Sequence, residues 1–283
     1  MTSALGTRRL VLRPGTPVLA RSPGIVQVGL DAPVVRLPDE PAVRSLLAGL
    51  LGSRGLPEKT AADPDVLDRL RAAGLLLVVP DGPAGVAEQV LRAQFGPDAV
   101  RRHTARPHGA AVAVDAPPGT AALLAPLLDA AGLRRAETAA VHLVVSTGPL
   151  DRERLDPLVR TGTPHLVVSG AAAGRRIGPF VEPGRTACLR CVDAHEALAD
   201  VRRPLLLAQA ATTAGTRPPP VDPVLDALVL AWAVRDLCRY LEGDAPSTWS
   251  ATYDLGPRDA PVATPWGRHP DCGCAWDELT LLP

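Results

Sequence analysis

Four of the five cysteines of this 283-residue chain fall in two close pairs. Cys188 and Cys191 enclose two residues, and Cys272 and Cys274 follow much later around a single glycine. Both pairs stand in sequence rich in glycine and proline, as is typical of tight turns. Two such thiol pairs can converge on one tetrahedral metal ion, and four thiolates are the ligand set of a structural zinc site. The spacing therefore predicts that zinc joins the C-terminal segment to a turn in the middle of the chain.

The ligand set limits the chemistry of this site. A zinc ion with four thiolate ligands has no open position for a water molecule or a substrate carbonyl, so its role is to stabilise the fold. His195 and His269 lie next to the pairs and could replace a thiolate, or serve as hydrogen-bond partners. Separate buried thiols and disulfides are two other interpretations. The start of the chain lacks the apolar run of a signal peptide, which disfavours disulfides, and Cys238 falls in a helical pattern as a core residue.

The amino-acid composition limits the classes of binding partner that we expect for this chain. The chain is 46% hydrophobic and 21% charged, and its net charge is zero. A neutral chain has no global field that attracts nucleic acid or an anionic membrane. No apolar run approaches the roughly 20 residues that a membrane span requires. We therefore expect a cytoplasmic protein with neither a nucleic-acid nor a membrane partner.

Residues 1–80 have the pattern of a small α+β domain. Short β-type runs occupy 10–12, 17–20, 25–30 and 34–37. Two helices follow, the first capped by Asp39 and ending at Gly52, the second capped by Asp63 and ending at Gly74. Strands followed by short helices predict a winged-helix-like module. Such a module binds DNA, or it accepts an extended peptide as an added strand at a sheet edge.

A second domain is expected over 110–283, after a linker over 81–109. Predicted strands lie near 111–114, 142–146 and 164–169, and predicted helices near 120–131, 151–160 and 222–241. This alternation is typical of a parallel sheet with helices on both faces. The pattern predicts an α/β, Rossmann-like domain.

The first strand-to-helix turn of that domain argues against a bound nucleotide. A phosphate-binding turn is rich in glycine, because backbone amides must approach the phosphate at the helix N-terminus. Here Asp115 is followed by an alanine and then by Pro117 and Pro118, which lack amide donors. Lys59 is the only lysine, and Glu137, the nearest acid for a ribose, lies in a stretch that need not form a strand. The sequence therefore predicts a degenerate domain that does not bind ATP.

Two segments carry a family resemblance: 177–195, which contains the first cysteine pair, and 268–274, which contains the second. They resemble the ThiF-like branch of the ubiquitin-activating-type superfamily. Within that branch they are similar to proteins that bind the leader of a precursor peptide for thiazole- and oxazole-forming YcaO cyclodehydratases. Those proteins also begin with a winged-helix peptide-recognition domain, so the resemblance covers most of the chain. It implies a homodimer and a non-catalytic partner protein, with cyclisation and ATP consumption in the cyclodehydratase.

The resemblance also implies where the leader binds. The leader would add as an antiparallel strand beside residues 25–30 and pack against the helix at 63–73, and acidic leader residues would meet two arginines of that helix. The implied peptide-binding set is Ile25, Val26, Gln27, Val28, Gly29, Leu30, Leu67, Arg69, Leu70 and Arg71. The apolar members could instead be plain core residues, and the arginines part of a solvated helix face.

Two other functions stay open from the sequence. A working ThiF-type adenylyltransferase would activate a carboxylate with ATP, but it requires a phosphate loop and a cationic set that Asp115, Arg134, Arg135 and Arg152 do not readily supply. A winged-helix regulator would bind DNA and sense a ligand in its α/β domain. The N-terminal pattern lacks the cluster of base-reading and phosphate-binding residues that such a regulator requires.

Overall fold

The computed structural model describes residues 7–82, 84–105, 109–171, 174–258 and 260–274. The chain divides into two compact units, Met1–Ala105 and Arg106–Pro283. Within the described residues, no helix combines the length and the apolar character that a membrane crossing requires.

The first unit contains two small antiparallel sheets and helices that follow them. In chain order its elements are β1 (Arg8–Leu12), β2 (Val18–Ser22), β3 (Ile25–Val28), β4 (Val35–Pro38), α1 (Pro41–Leu51), β5 (Leu56–Pro57), α2 (Pro64–Ala72), β6 (Leu76–Pro80), α3 (Val86–Phe95) and α4 (Ala99–Ala105). One sheet has the order β5-β1-β6, and the other has the order β2-β3-β4. The second sheet is a meander in which β3 is the middle strand.

Local sequence explains where α2 begins, and the same argument fails for α1. The Asp63 carboxylate accepts hydrogen bonds from the amides of Asp65 (2.9 Å) and Val66 (3.4 Å), which are donors that the helix itself leaves unpaired. The cap expected of Asp39 at α1 is not formed, because its carboxylate pairs with the Arg44 guanidinium. That ion pair lowers the pKa of Asp39.

One hydrophobic core joins β1, β3, β4, α1 and α2. Its most deeply buried side chains include Leu10, Val28, Leu37, Leu47 and Leu70. Full burial of each such side chain contributes roughly 1.5–3 kcal/mol relative to an exposed position. The strands and helices that the sequence predicted therefore meet along their apolar faces.

The segment 81–109 differs from the predicted linker, because α3 and α4 lie within it. Arg13 donates hydrogen bonds to the carbonyls of Ala93 and Gln94 near the end of α3, both at 2.8 Å. These bonds satisfy carbonyls that a helix C-terminus leaves open. Both helices belong to the first unit, whose boundary falls after Ala105.

The second unit is built on one seven-stranded sheet. Its elements are β7 (Ala110–Asp115), α5 (Pro118–Ala130), β8 (Leu133–Arg135), β9 (His142–Val145), α6 (Asp156–Arg160), β10 (His165–Ala171), β11 (Gly174–Val181), α7 (Leu189–Ala197), α8 (Arg203–Thr216), α9 (Pro223–Leu241), β12 (Ala251–Leu255) and β13 (Val262–Pro265). The strand order is β13-β12-β11-β10-β9-β7-β8. Strands β8, β7, β9 and β10 are parallel, and the remaining three are antiparallel. The chain therefore has the mixed α/β class that the sequence predicted.

The long helix α9 packs against this sheet. The Asp222 carboxylate caps it by accepting from the amides of Val224 (2.8 Å) and Leu225 (3.1 Å). Its buried stripe contains Val229, Leu230, Ala233, Val234 and Leu237, and these side chains share a core with the central strands. The stripe is packing surface, as its helical spacing predicted.

Candidate functional site

The sulfur atoms of the two cysteine pairs lie together. All four Sγ atoms are within 4.8 Å of one another. Cys188 Sγ lies 3.7 Å from Cys191 Sγ and 3.4 Å from Cys272 Sγ, and Cys191 Sγ lies 3.3 Å from Cys274 Sγ. These separations are too long for a disulfide bond, which is about 2.05 Å. They approach the spacing of about 3.8 Å that tetrahedral metal–thiolate coordination requires. The four thiols could therefore hold a metal ion.

The two cysteine pairs are positioned by different local structures, a helix start and a turn. Cys188 is the residue before the first turn of α7, and Cys191 lies within that turn, so both sulfurs face the same end of the helix. Cys272 and Cys274 flank Gly273, whose φ of +77° is in the left-handed region that glycine adopts without strain. The glycine reverses the chain between the two cysteines, which brings both side chains to α7.

The electrostatics of the cluster favour a bound cation. Hydrogen bonds from Cys188 above all, and then from the other two thiols and the His269 amide, lower the pKa of Cys191. The amide nitrogen of His269 lies 3.3 Å from Cys191 Sγ. The hydrogen bond that Cys188 makes to Cys191 raises the pKa of Cys188. Four adjacent thiols cannot all ionise beside one another unless a positive charge balances them, and a metal ion supplies that charge.

The neighbouring histidines support the cluster from outside. His195 Nε2 lies 3.0 Å from the carbonyl oxygen of Gly267. His269 contributes its backbone amide, and its ring packs edge-on against that of His195 with centroids 4.8 Å apart. The cysteines, rather than these histidines, form the group that can hold an ion.

Two arginine–carboxylate pairs hold α7 in place. Arg152 donates to both oxygens of Asp193 (2.7 and 2.6 Å), and Arg190 donates to both oxygens of Asp156 (2.9 and 2.8 Å). Such two-point pairs fix orientation as well as distance. Sequence reasoning missed them, since the partners are 41 and 34 residues apart and no local pattern connects them.

The structure contradicts the predicted position of the peptide. Strand β3, which contains Ile25, Val26, Gln27 and Val28, pairs with β2 on one side and with β4 on the other. No backbone edge is free for an added strand beside it. The prediction is wrong because the short turns before and after β3 fold both neighbouring strands onto it.

The side chains of the predicted peptide-binding set divide into three groups. Buried in the core of the first unit are Val26, Val28, Leu67 and Leu70. Gln27 is also buried, and its amide nitrogen donates to the carbonyl of Gly29 at 2.8 Å. Ile25, at the start of β3, and Leu30, beyond its end, are exposed. The arginines of α2 are exposed: Arg71 pairs with Asp68, and Arg69 donates to the backbone carbonyl of Arg36.

The outer edge of β4 is free in the described part of the chain, since β4 pairs only with β3 there. The Asp39 amide donates to the Gly24 carbonyl at 2.9 Å. Because antiparallel pairing alternates, the backbone groups of Val35 and Leu37 then face β3, and those of Arg36 face outward. Helix α2 packs beside this strand. This edge could not be predicted from the sequence, because strand order depends on tertiary contacts.

The second unit has a crevice where strand order reverses, between the carboxyl ends of β7 and β9. Nucleotides bind at such switch points in open α/β sheets. Here β7 ends at Asp115, and α5 begins at Pro118 with Pro117 before it, as the sequence indicated. The Asp115 carboxylate pairs with Arg154 at 2.6 Å. A cavity of about 590 Å³ at this point is lined by Asp115, Asp151 and Arg154 as its charged residues.

One feature of a nucleotide site is nevertheless present. Strand β8 forms parallel to β7, although the sequence did not require a strand there. Glu137 follows it and lines a neighbouring cavity of about 560 Å³ together with Asp115, Arg135 and His142. An acid after the second strand is the usual partner of a ribose in such folds.

Comparison with known proteins shows which solved structures share this fold. No protein-family model matches the chain, and no curated protein matches it. The heterocyclase TruD shares the fold with a TM-score of 0.73 and 19% identity, over 97% of this chain and 44% of that one. A heterocyclase in complex with substrate and cofactor has a TM-score of 0.70 and 15% identity, over 95% and 40%. Escherichia coli MccB with ATP has a TM-score of 0.62 and 12% identity, over 94% and 99%.

These likenesses differ in extent. The chain spans less than half the length of the two heterocyclases and nearly the whole length of MccB. At such low identity, the shared feature is the fold.

Proposed function

We propose that this chain binds the leader segment of a ribosomally made precursor peptide and delivers the precursor to a separate YcaO cyclodehydratase, without catalysing a reaction itself. The observation that carries this proposal is the free outer edge of β4 beside α2. The fold supports it, because similar chains include a heterocyclase solved with substrate and cofactor. Since this chain matches only part of that heterocyclase, the remaining part would come from the partner.

Edge geometry favours β4 over the other edge of the same sheet. The β2–β3 pairing is irregular between Ala20 and Ser22, and such a bulge disfavours further pairing on β2. Strand β4 pairs in continuous register from Val35 to Pro38. An added strand takes its affinity from main-chain hydrogen bonds and its specificity from the side chains around it. On β4 the Arg36 amide and carbonyl would supply those bonds, and α2 would supply neighbouring side chains.

The cysteine cluster fits a structural zinc ion in this proposal. Four thiolates in a tetrahedral arrangement suit zinc, and they leave no position open for substrate. Cys188, Cys191, Cys272 and Cys274 would be its ligands. The metal would join the C-terminal segment to α7 and so preserve the α/β unit that meets the cyclodehydratase.

The crevice of the α/β unit supports a role without ATP. Pro117 and Pro118 supply no amide to a phosphate, and the Asp115 carboxylate stands at the end of β7. Arg154, the cation of this cavity, is already paired with Asp115. The triphosphate of a bound nucleotide would therefore lie against a carboxylate, at the position where such folds usually offer backbone amides.

The proposal is tested by selecting peptides on the full chain from a displayed library of random peptides of about 12 residues. Affinities of the selected peptides are then measured by fluorescence polarisation for two variants of one residue. Arg36→Pro removes the outward amide donor, and proline is tolerated at an edge position whose amide faces solvent. We expect a loss of affinity of about tenfold or more, whereas Arg36→Ala, which keeps the amide, should stay within about threefold.

Two results would contradict the proposal. A library that yields no specific peptide would show that this chain does not recognise peptides. Equal affinities of the proline and alanine variants would show that the peptide docks elsewhere. Circular dichroism of both variants verifies that the fold is retained.

A ThiF-type adenylyltransferase remains the second candidate, and Glu137 after β8 favours it together with the likeness to MccB solved with ATP. Calorimetric titration with magnesium ATP and pyrophosphate exchange in the presence of a selected peptide distinguish the two functions. If the chain only binds a leader, titration with magnesium ATP gives no heat of binding and no pyrophosphate exchange occurs. Saturable binding with exchange would establish the enzyme instead.

A further inference from the structure

The Arg69 side chain is hydrogen-bonded to the backbone carbonyl that an added strand would need as its acceptor. Its guanidinium, on α2, donates to the backbone carbonyl of Arg36 on the outer edge of β4. In an antiparallel addition, the peptide residue opposite Arg36 exchanges two hydrogen bonds with it, one from the amide and one to the carbonyl. In the free protein the carbonyl is already bound, so a peptide must displace Arg69 to complete the pair.

The displaced guanidinium needs a new acceptor. Within the described residues, Arg69 contacts a carbonyl and not a carboxylate, whereas Arg71 on the same helix is paired with Asp68. A cation released from a carbonyl exchanges a neutral acceptor for a charged one if the incoming peptide supplies a carboxylate, and such charge-assisted bonds are stronger. A peptide without an acid would leave Arg69 to solvent or to the exposed Asp65, one turn earlier on α2.

The pleat of β4 indicates where that carboxylate must stand. Val35 and Leu37 are buried in the core that contains α2 residues, and Arg36 is exposed. Because side chains alternate along a strand, the peptide residue opposite Arg36 faces solvent with it. Its two sequence neighbours face α2. One of these neighbours would meet Arg69.

We propose that Arg69 is a latch on the β4 edge, and that the peptides able to open it carry an Asp or Glu next to the residue paired with Arg36. This inference rests on the proposed function and makes Arg69 the specificity-determining residue of the peptide site. The substrate class is an extended peptide that presents an acid on the α2 side.

The test repeats the peptide selection on the wild-type chain, on Arg69→Gln and on the matched control Arg8→Gln, which changes an exposed arginine of β1 that pairs with Glu58. We expect peptides selected on the wild type and on the control to share an acidic position, and peptides selected on Arg69→Gln to lack it. For one selected peptide, exchanging its acid for the amide should weaken wild-type binding about fivefold or more, and binding to Arg69→Gln less than about twofold. The amide peptide should bind Arg69→Gln more tightly than it binds the wild type, because the latch is gone.

The outcomes separate this inference from the function on which it rests. Peptides that bind and lose affinity in Arg36→Pro, but show the same acid preference with Arg69→Gln as with the wild type, would overturn the latch and leave the β4 site standing. A selection that yields no peptide on any of the three proteins would overturn the proposed function and the latch together. Unchanged thermal unfolding of Arg69→Gln verifies that the effect is not loss of fold.

Discussion

At the scale of single residues, the close spacing of the four cysteines determines how readily their thiols ionise. The sulfurs of Cys191 and Cys274 lie 3.3 Å apart, and burial separates Cys191 from the water that would otherwise stabilise its charge. Hydrogen bonds from the neighbouring Cys188 contribute most to lowering the pKa of Cys274 to about 7. A cluster with thiolate character at neutral pH is ready for a soft metal ion.

Replacing Cys191 by serine should release the metal and lower the free energy of unfolding by about 4 kcal/mol or more, as loss of a structural metal does. Metal content by mass spectrometry and thermal unfolding measure the two effects. Cys238→Ser is the matched control, because Cys238 lies in α9 outside the cluster, and it should keep its metal. A Cys191→Ser protein with its full metal content would disprove the assignment.

His165 makes the stability of the second unit depend on pH. Burial, the main cause, lowers the pKa of His165 from 6.5 to about 4, and its Nδ1 lies 2.9 Å from the Thr163 carbonyl oxygen. Between these two values the unfolded chain binds a proton that the folded chain excludes, so stability falls as pH falls from 6.5 towards 4. The loss reaches about 3 kcal/mol at the lower end.

The variant His165→Gln should flatten that dependence while keeping a donor for Thr163. Denaturant unfolding of both proteins across this pH range measures the difference, and protonation of the cysteine cluster cancels because it affects both. Parallel curves for the wild type and the variant would refute the role of His165.

At the scale of elements, α9 is tied to the start of β12 by one buried carboxylate. Both oxygens of Asp236 accept from the turn at residues 247 and 248: from the Ser247 amide (3.0 Å) and hydroxyl (2.9 Å), and from the Thr248 amide (2.9 Å) and hydroxyl (2.7 Å). A buried carboxylate that accepts several hydrogen bonds fixes the positions of the groups that donate to it. It therefore orders the turn on which β12 depends.

Asp236→Asn should lower the free energy of unfolding by about 1.5–3 kcal/mol, because an amide cannot accept at both positions. Thr248→Val, which removes a single donor of similar shape, should cost about 1 kcal/mol or less. Chemical denaturation compares the two variants. An Asp236→Asn protein as stable as the wild type would show that the turn is held by other contacts.

The elements also show how far sequence reasoning reaches. Periodicity and capping located α2 and α9 because their signals, Asp63 and Asp222 before apolar stripes, are local. The middle position of β3 and the free edge of β4 depend on which strands pair, and that information is not local. Strand β6 was missed although 75–79 is a continuous apolar run of the kind that buried strands have, and helices α3 and α4 were missed because no strong cap precedes them. The cysteine cluster could be predicted since its spacing is itself the signal.

At the scale of the whole molecule, the two units have separable tasks in this account. The proposed peptide site lies within Met1–Ala105, and the cysteine cluster lies within Arg106–Pro283. The sheet of the second unit has cavities at the point where its strand order reverses, which is where open α/β sheets bind ligands. Asp115, Pro117 and Pro118 stand at that point.

Removal of the proposed zinc ion should therefore lower the thermal stability of the chain without weakening its peptide binding. Chelation with a strong zinc-binding agent should lower the thermal stability of the chain substantially, because folding and metal binding are coupled. The affinity of a selected peptide, measured below the unfolding temperature, should change by less than about threefold, because the proposed contacts all lie in β4 and α2 of the first unit. A loss of peptide binding that parallels the loss of metal would show that the units depend on each other.

The central claim is that an extended peptide pairs with the outer edge of β4. Hydrogen exchange of the full chain with and without a saturating selected peptide, followed by mass spectrometry, tests it most directly. The account predicts that the peptide slows exchange at residues 34–38, where the outward amide of Arg36 gains a partner, and leaves β2 unchanged. Protection confined to other segments, or none at 34–38, would contradict it.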